Sequence, residues 1–130
     1  MRRKTALFVL ALLAVLTASP LLAASPQVTI SGTSRVTLFG TSQRYASWST
    51  SVTSGYPPYT YQWYWNGTPV SFNGTGSSYG GTYIGPNRNM TITDVVSVVV
   101  TDSYGQTATD THNITVTCYE GDDPRSRPSF

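Results

Sequence analysis

Charge, cysteine and histidine are scarce in this chain of 130 residues. Only 11% of the residues are Asp, Glu, Lys or Arg, and there is one Cys and one His. A lone cysteine excludes a disulfide framework within the chain. So few acids and bases also leave little material for a catalytic centre. The length supports one domain, since domains of about 100 residues are the commonest size, and this argues against a multidomain enzyme.

Basic residues are concentrated at the start of the chain. Positions 2–4 read Arg-Arg-Lys, residues 6–16 contain no polar side chain, and residues 22–24 read Leu-Ala-Ala. This pattern predicts a signal peptide over residues 1–24. An uncleaved anchor would use the same apolar run, and membrane contact would then come from this segment alone. Polar residues and a proline at positions 17–20 favour cleavage instead.

Removal of the leader changes the charge balance of the chain. The remaining 130 − 24 = 106 residues contain five Arg and six acids, so the formal charge changes from +2 to 5 − 6 = −1. The excess positive charge belongs to the leader, which argues against a nucleic-acid partner. No Lys remains, Leu38 is the only Leu, and 33 of the 106 residues are Ser or Thr. This composition predicts an all-β protein that is secreted or held at the cell surface.

Short alternating segments and turn signals divide the remaining chain into seven or eight strands, which predicts a β-sandwich. Asn66-Gly67 predicts a tight hairpin. Residues 27–31 and 35–39 are predicted as one edge strand broken at Gly32. Residues 73–86 contain five glycines and are predicted as a long loop, with at most a short strand over 82–84. Residues 90–93 and 95–101 are predicted as separate strands.

The predicted core depends on side chains that share one face of these strands. Alternation assigns the inner face to tryptophans on two strands and to a row of valines on a third, and it places Trp65 on the same face as Trp63. These core residues are Trp48, Trp63, Val96, Val98 and Val100.

Several of these segments resemble a known family. The stretch from Gly55 to Trp63 (GYPPYTYQW), the Asn66-Gly67 pair, the stretch from Val96 to Gly105 (VSVVVTDSYG) and the closing Ile114-Thr115-Val116 are similar to the polycystic-kidney-disease (PKD) repeat and related prokaryotic immunoglobulin-like domains. The resemblance spans about residues 28 to 117. The composition of residues 119–130, with Gly121, two prolines and alternating charge, predicts a disordered tail. The resemblance implies an immunoglobulin-like sandwich of about seven strands over residues 25–118. It also implies a non-catalytic role in adhesion, spacing or scaffolding.

Few residues remain as candidates for chemistry. His112 has no partner nearby in sequence, which favours a structural role over a catalytic one. Asp94, Asp102 and Asp110 recur every eight residues, but without a calcium-loop motif they are interpreted as turn and cap residues. No enzyme activity, metal or cofactor is predicted. Cys118 is interpreted either as a free thiol or as an intermolecular disulfide to a second copy or a partner.

Two surface features suggest partners. Four of the five Asn residues open an Asn-x-Ser/Thr triplet and are possible glycosylation sites, namely Asn66, Asn73, Asn89 and Asn113. Nine Tyr and three Trp exceed what a small core holds. The aromatic residues predicted to be available for a ligand or an interface are Tyr56, Tyr64, Tyr79, Tyr83 and Tyr104.

The sequence therefore predicts an exported immunoglobulin-like module with a structural or adhesive role and a protein or glycan partner at the cell surface. Two alternatives stay open at this point. One is a carbohydrate-binding module that uses exposed aromatic residues. The other is an oligomeric subunit of a surface filament or layer, assembled by strand addition.

Overall fold

A computed structural model of the chain describes residues 24–124. The predicted signal peptide, apart from residue 24, and the last six residues of the predicted tail lie outside the described residues. Within 24–124 no helix is long and apolar enough to span a bilayer. The secondary structure of this region consists of eight strands: β1 (Gln27–Gly32), β2 (Arg35–Phe39), β3 (Gln43–Thr53), β4 (Thr60–Trp65), β5 (Thr68–Pro69), β6 (Ser78–Ile84), β7 (Met90–Thr101) and β8 (Thr107–Tyr119).

The strands form two sheets in the order of an immunoglobulin-like domain. The small sheet has the order β1-β3-β6 and the large sheet has the order β2-β8-β7-β4-β5. All pairs are antiparallel except β2 and β8, which are parallel. This order corresponds to an A-B-E sheet facing a G-F-C sheet extended by a short C′ strand. The predicted all-β, immunoglobulin-like sandwich is therefore confirmed.

Large apolar side chains fill the space between the sheets. Trp63 on β4 and Trp48 on β3 are 0% and 2% exposed, and the row Val96, Val98 and Val100 on β7 is fully buried. The indole N–H of Trp63 donates to the carbonyl of Gly76 at 2.8 Å, and that of Trp48 donates to the carbonyl of Thr33 at 2.8 Å. Both tryptophans therefore contribute apolar area without leaving a buried donor unpaired.

The chain changes sheets at Gly32, so the prediction of a single broken edge strand over 27–39 is wrong. β1 pairs with β3 in the small sheet, whereas β2 pairs with β8 in the large one. Gly32 has a φ of 148°, and a Cβ there would lie 2.2 Å from the carbonyl oxygen of Ser47. Only glycine fits this crossing. Both segments show the same alternation, so the pattern contains no sign of the change.

The prediction of a long loop over 73–86 is also wrong, because β6 occupies half of it. β6 pairs with β3 over seven residues, with Trp48 opposite Tyr79. Gly80 lies under the Tyr45 side chain, whose hydroxyl would be 2.3 Å from a Cβ at that position. Glycine here permits packing across the sheet rather than a turn.

The large sheet has one long strand where two were predicted. Asp94, at the predicted break, lies within β7 and pairs with Ile114 of β8. The long ladder compensates for the low strand propensity of aspartate. The hairpin prediction at Asn66-Gly67 is confirmed, since both residues have positive φ, 46° and 81°. That geometry is the one a type I′ turn requires.

Candidate binding site at an open strand edge and an aromatic cleft

β6 forms an outer edge of the small sheet. The bond from Thr50 N to Ser77 O and that from Gly85 N to Ser42 O are both 2.9 Å. Because bonded and non-bonded pairs alternate in an antiparallel ladder, these two bonds identify the odd-numbered residues of β6 as those bonded to β3. The backbone groups that point away from β3 belong to the even-numbered residues Ser78, Gly80, Thr82 and Ile84.

This edge carries none of the features that usually protect an exposed strand. β6 contains no Lys, no Pro and no charged residue. The opposite edge of the same sheet is capped, since the amide of Ile30 on β1 donates to Asp110 Oδ2 at 2.6 Å. In the large sheet, β5 is only two residues long and ends in Pro69. Of these three edges, β6 is therefore the one best suited to accept a further strand.

A cleft opens beside β6, between the two sheets. It has a volume of about 500 Å³, and its lining includes Trp65, Tyr79, Tyr83, Ile84, Ile92 and Asp94. Ile84 and Ile92 are 64% and 39% exposed, whereas Asp94 is 9% exposed. The cleft, called the Trp65 cleft below, thus has apolar side chains at its mouth and a carboxylate in its interior.

Aromatic rings from both sheets meet around this cleft. The Trp65 ring centroid lies 5.8 Å from that of Tyr83 and 6.5 Å from that of Tyr79. Trp48 lies behind them, 5.7 Å from Trp65 and 5.9 Å from Tyr79. Such distances and tilted orientations are favourable for aromatic pairs. The rings therefore support one another and form a stable wall.

Asp94 is held in place by two side chains. Asn66 Nδ2 donates to Asp94 Oδ1 at 2.9 Å, and the Tyr83 hydroxyl donates to Oδ2 at 3.2 Å. The hairpin turn orients Asn66, whose Oδ1 accepts the amide of Val95 at 2.8 Å. Each carboxylate oxygen thus accepts one hydrogen bond and retains capacity for another.

The pKa of the Tyr83 hydroxyl is raised above its ordinary value. Burial of the phenol is the largest cause, and the negative charge of Asp94 and the hydrogen bond to it add to the effect. Tyr83 therefore keeps its proton, and with it the hydrogen bond that its hydroxyl donates to Asp94, at a pH where an exposed tyrosine would ionise.

The other candidate polar residues bond to the backbone. Asp102 accepts the amides of Tyr104 and Gln106, both at 2.9 Å, and caps the turn between β7 and β8. His112 Nε2 lies 3.1 Å from Ser34 Oγ and 3.2 Å from the carbonyl of Thr33. Within residues 24–124, no cluster of three or more His, Cys, Asp or Glu is arranged to hold a metal ion.

The predicted aromatic residues fall into two groups. Tyr79 and Tyr83 line the Trp65 cleft. Tyr56 and Tyr104 lie at the opposite end of the sandwich as an edge-to-face pair, with centroids 4.7 Å apart and exposures of 39% and 69%. Tyr64 is half-buried on the outer face of β4, between Ser97 and Pro69. The structure thus presents two separate aromatic surfaces.

The four asparagines of the predicted glycosylation triplets are all exposed. Asn113 lies on β8, and Asn73 lies in the loop before β6 with a φ of 54°. Asn89 Oδ1 accepts the amide of Glu120 at 3.1 Å, which leaves its Nδ2 free for a sugar. At Asn66, Nδ2 already donates to Asp94, so a sugar there would disturb the cleft.

Cys118 is a core residue near the end of β8. It is a free thiol with 3% exposure, next to Leu38 of β2 in the ladder. A disulfide to a second chain, as one reading of the sequence suggested, would require the end of β8 to open, because a buried thiol is not accessible to exchange. The next residue, Tyr119, stacks on Phe39 at 5.2 Å.

Sequence reasoning missed three residues of the cleft. Trp65, Ile84 and Ile92 were not singled out, because half-buried and exposed apolar residues in strands resemble core residues in sequence. The alternation around Trp63 did place Trp65 on the inner face, and the closeness of Trp65 to the Asn66-Gly67 turn indicates that it lies at the end of the sandwich. That position is the one signal that pointed to this site.

Comparisons with known proteins add little to this geometry. No family model matches the chain, and no curated protein matches it. Among solved structures, the chain is similar to the crystal structure of the CARDB domain of the PF1109 protein from Pyrococcus furiosus, which is in complex with di-metal ions. The match covers 73% of this chain and 90% of that chain, with 18% identity and a TM-score of 0.46. A likeness at this level carries no information on ligands or metals, and the fold assignment rests on the strand order itself.

Proposed function

We propose that this chain is an exported, non-catalytic, immunoglobulin-like module of the PKD type with a structural or adhesive role at the cell surface. The observation that carries the proposal is the uncapped edge of β6 beside the Trp65 cleft. Together they form a contact face that can accept a partner strand and its side chains. The use of Asp102, Asp110 and His112 in backbone contacts supports a non-catalytic role.

The proposal is tested by locating the chain and then measuring adhesion. We expect the full-length chain with a C-terminal tag to appear outside the cytoplasm and to start at Ser25. Beads coated with that product should adhere to cells of the source organism. A chain carrying Thr82→Pro is the matched variant, since the amide of Thr82 points away from β3 and its loss leaves the β3–β6 ladder intact. Recovery of the tagged chain only in the cytoplasm, or equal adhesion of both beads, would contradict the proposal.

A carbohydrate-binding role has separate support at the other end of the sandwich. The exposed Tyr56–Tyr104 pair presents ring faces and edges to solvent, and such surfaces stack on sugar rings. On a glycan array, a carbohydrate-binding module should lose its signal with Tyr104→Ala and keep it with Thr82→Pro. Tyr64→Ala tests the remaining outward aromatic residue in the same assay.

Assembly by strand addition between copies is the second alternative, and the free edge of β6 supports it. Two copies could pair antiparallel along β6, with Gly81 of one copy opposite Gly81 of the other. The outward-pointing backbone groups of one copy would then lie opposite those of the other. No like charges would meet, since β6 is uncharged. Sedimentation should then show oligomers that Thr82→Pro converts to monomers. A monomeric parent chain at high concentration would exclude this alternative.

A further inference from the structure

Asp94 is a buried carboxylate without a cation to balance it in the described chain. Its exposure is 9%, and its partners are the neutral side chains of Asn66 and Tyr83. No Arg or His within residues 24–124 forms an ion pair with it. Removing a carboxylate from water is costly unless an opposite charge or a full set of hydrogen bonds compensates. Asp94 has two hydrogen bonds, about half of what a carboxylate accepts.

The Trp65 cleft gives a ligand access to this carboxylate through apolar walls. Ile84 and Ile92 lie at its mouth and aromatic rings line its side, whereas Asp94 lies within it. A side chain that matches these surfaces has an apolar stem and a charged end. Aromatic faces attract cations in addition, and the attraction is stronger when the cation is desolvated.

Between the two cationic side chains, the geometry favours arginine. Each oxygen of Asp94 accepts one bond, so one acceptor position on each oxygen remains for a donor. A guanidinium can donate to both oxygens at once and can stack its plane on an aromatic ring. An ammonium acts as a point charge with a stronger hydration shell and does not stack.

We propose that the Trp65 cleft binds an arginine side chain presented by a partner, with the guanidinium on Asp94 and the stem along Trp65 and Ile92. The inference deepens the proposed surface role, on which it rests, by naming the chemistry of the partner. The arginine comes either from another protein or from a second copy of this chain. The single Lys of the sequence, Lys4, lies in the predicted leader, and five Arg lie beyond it.

The direct test is a titration of the purified full-length chain with small ligands, followed through the indole N–H signals in NMR spectra. N-acetyl-arginine amide should shift the Trp65 signal in a saturable way. N-acetyl-citrulline amide has the same shape without the charge and should bind at least about tenfold more weakly, because charge-assisted hydrogen bonds are the stronger class. Equal binding of both ligands would overturn the proposal, and equal binding of N-acetyl-lysine amide would overturn the assignment to arginine.

Variants locate the site. Asp94→Asn keeps the shape of the side chain and should weaken arginine amide binding by about tenfold or more. Asp122→Asn removes the same charge from an exposed residue outside the cleft lining and should leave binding unchanged. If Asp94→Asn does not fold, Ile92→Lys is the second variant, because its own ammonium would occupy the cleft. Binding that persists in the folded variants would overturn the proposal.

A further measurement identifies the source of the arginine and separates this inference from the proposed function. If a second copy supplies it, the chain should sediment as an oligomer that arginine amide disperses. If another protein supplies it, the chain should sediment as a monomer and arginine amide should compete with bead adhesion. Adhesion that arginine amide leaves intact, with no oligomer to disperse, would overturn the cation site while leaving the surface role in place.

Discussion

Two buried aspartates lie at opposite ends of the sandwich and have different surroundings. Asp94 is part of β7, and Asp102 directly follows that strand. Asp102 is 5% exposed and accepts four hydrogen bonds, from the amides of Tyr56, Tyr104 and Gln106 and from the Gln106 side chain. Asp94 is 9% exposed, accepts two, and lines a cleft. A saturated carboxylate stabilises a turn, whereas an unsaturated one beside a cleft is available to a ligand.

The two ends differ also in what closes them. At the Asp102 end, the loop after β3 meets the turn after β7, with Ser103 N donating to the carbonyl of Tyr56 at 2.9 Å. At the Asp94 end, no strand formed by residues 24–124 pairs with the outer side of β6, where constant-type immunoglobulin domains place a fourth strand. Where that fourth strand is missing, the backbone groups on the outer side of β6 are left available to a partner strand, as the proposed function requires.

The largest loss of stability is expected from a substitution at the centre of the sandwich. The losses from substitutions at the two ends are compared with it. Trp63→Ala should lower the free energy of unfolding by ~3–5 kcal/mol, because it removes a fully buried indole. Trp65→Ala, two residues along the same face, should cost clearly less, since Trp65 is half-buried at the cleft. Urea denaturation of both variants checks this. Equal losses of stability would mean that Trp65 belongs to the core and that the cleft wall is not a separate region.

The next largest effect is a difference in stability between variants of the two aspartates. Asp102→Ala should lower the free energy of unfolding by about 3 kcal/mol, because it leaves buried backbone amides without an acceptor. Asp94→Ala should cost about 1 kcal/mol, since it leaves only side-chain donors and also removes an unpaired buried charge. Thermal melting of the two variants at neutral pH measures the difference. A larger loss for Asp94→Ala would contradict its assignment as a residue available to a ligand.

Two glycines test whether the backbone contributes to the difference between the ends. Gly67 follows Asn66 at the Asp94 end, and Gly105 lies in the turn that Asp102 caps. Their φ angles are 81° and 79°, and a Cβ at either would meet nothing within 4 Å. Alanine at each should cost about 1 kcal/mol through backbone strain alone. Equal losses in denaturation experiments would assign the difference between the ends to the carboxylates. Unequal losses would assign part of it to the turns.

Much of the fold could be predicted from local patterns. Alternation identified the inner faces that carry Trp48 and Trp63, and Asn66-Gly67 identified its hairpin, because each depends on neighbouring residues only. The sheet change at Gly32 and the strand β6 depend on contacts with residues far along the chain. Gly32 and Gly80 are both required by close approaches across a sheet, yet in sequence they resemble turn glycines.

The site was less accessible to sequence reasoning than the fold. Tyr79 and Tyr83 were singled out as excess aromatic residues, but their meeting with Trp65 needs the pairing of β6 with β3, which the glycine-rich composition concealed. Asp94 was weighed only as a turn or metal residue. Its importance follows from its two neutral partners, Asn66 and Tyr83. The three residues come from separate segments, and their meeting leaves no pattern in sequence.

The smallest expected effect is a pH dependence specific to the Asp94 end. The pKa of Tyr83 is raised in the folded chain, by burial first and by Asp94 second. Unfolding returns it to about 10. Above that pH the unfolded chain loses the phenol proton and the folded chain keeps it, so the contribution of Tyr83 to stability is complete below about pH 10 and falls as the pH rises.

Denaturation series at increasing alkaline pH, run on matched variants, test this sign. Tyr83→Phe should lose stability less steeply above about pH 10 than the parent chain, because the shifted group is gone. Asp94→Asn should fall between the two, since burial still raises the pKa of Tyr83 while the charge no longer does. Tyr104→Phe removes the hydroxyl of an exposed tyrosine at the opposite end and is the matched control variant. If Tyr104→Phe and Tyr83→Phe gave the same curve, the coupling between Tyr83 and Asp94 would be absent, and the Asp94 end would not be electrostatically distinct from the Asp102 end.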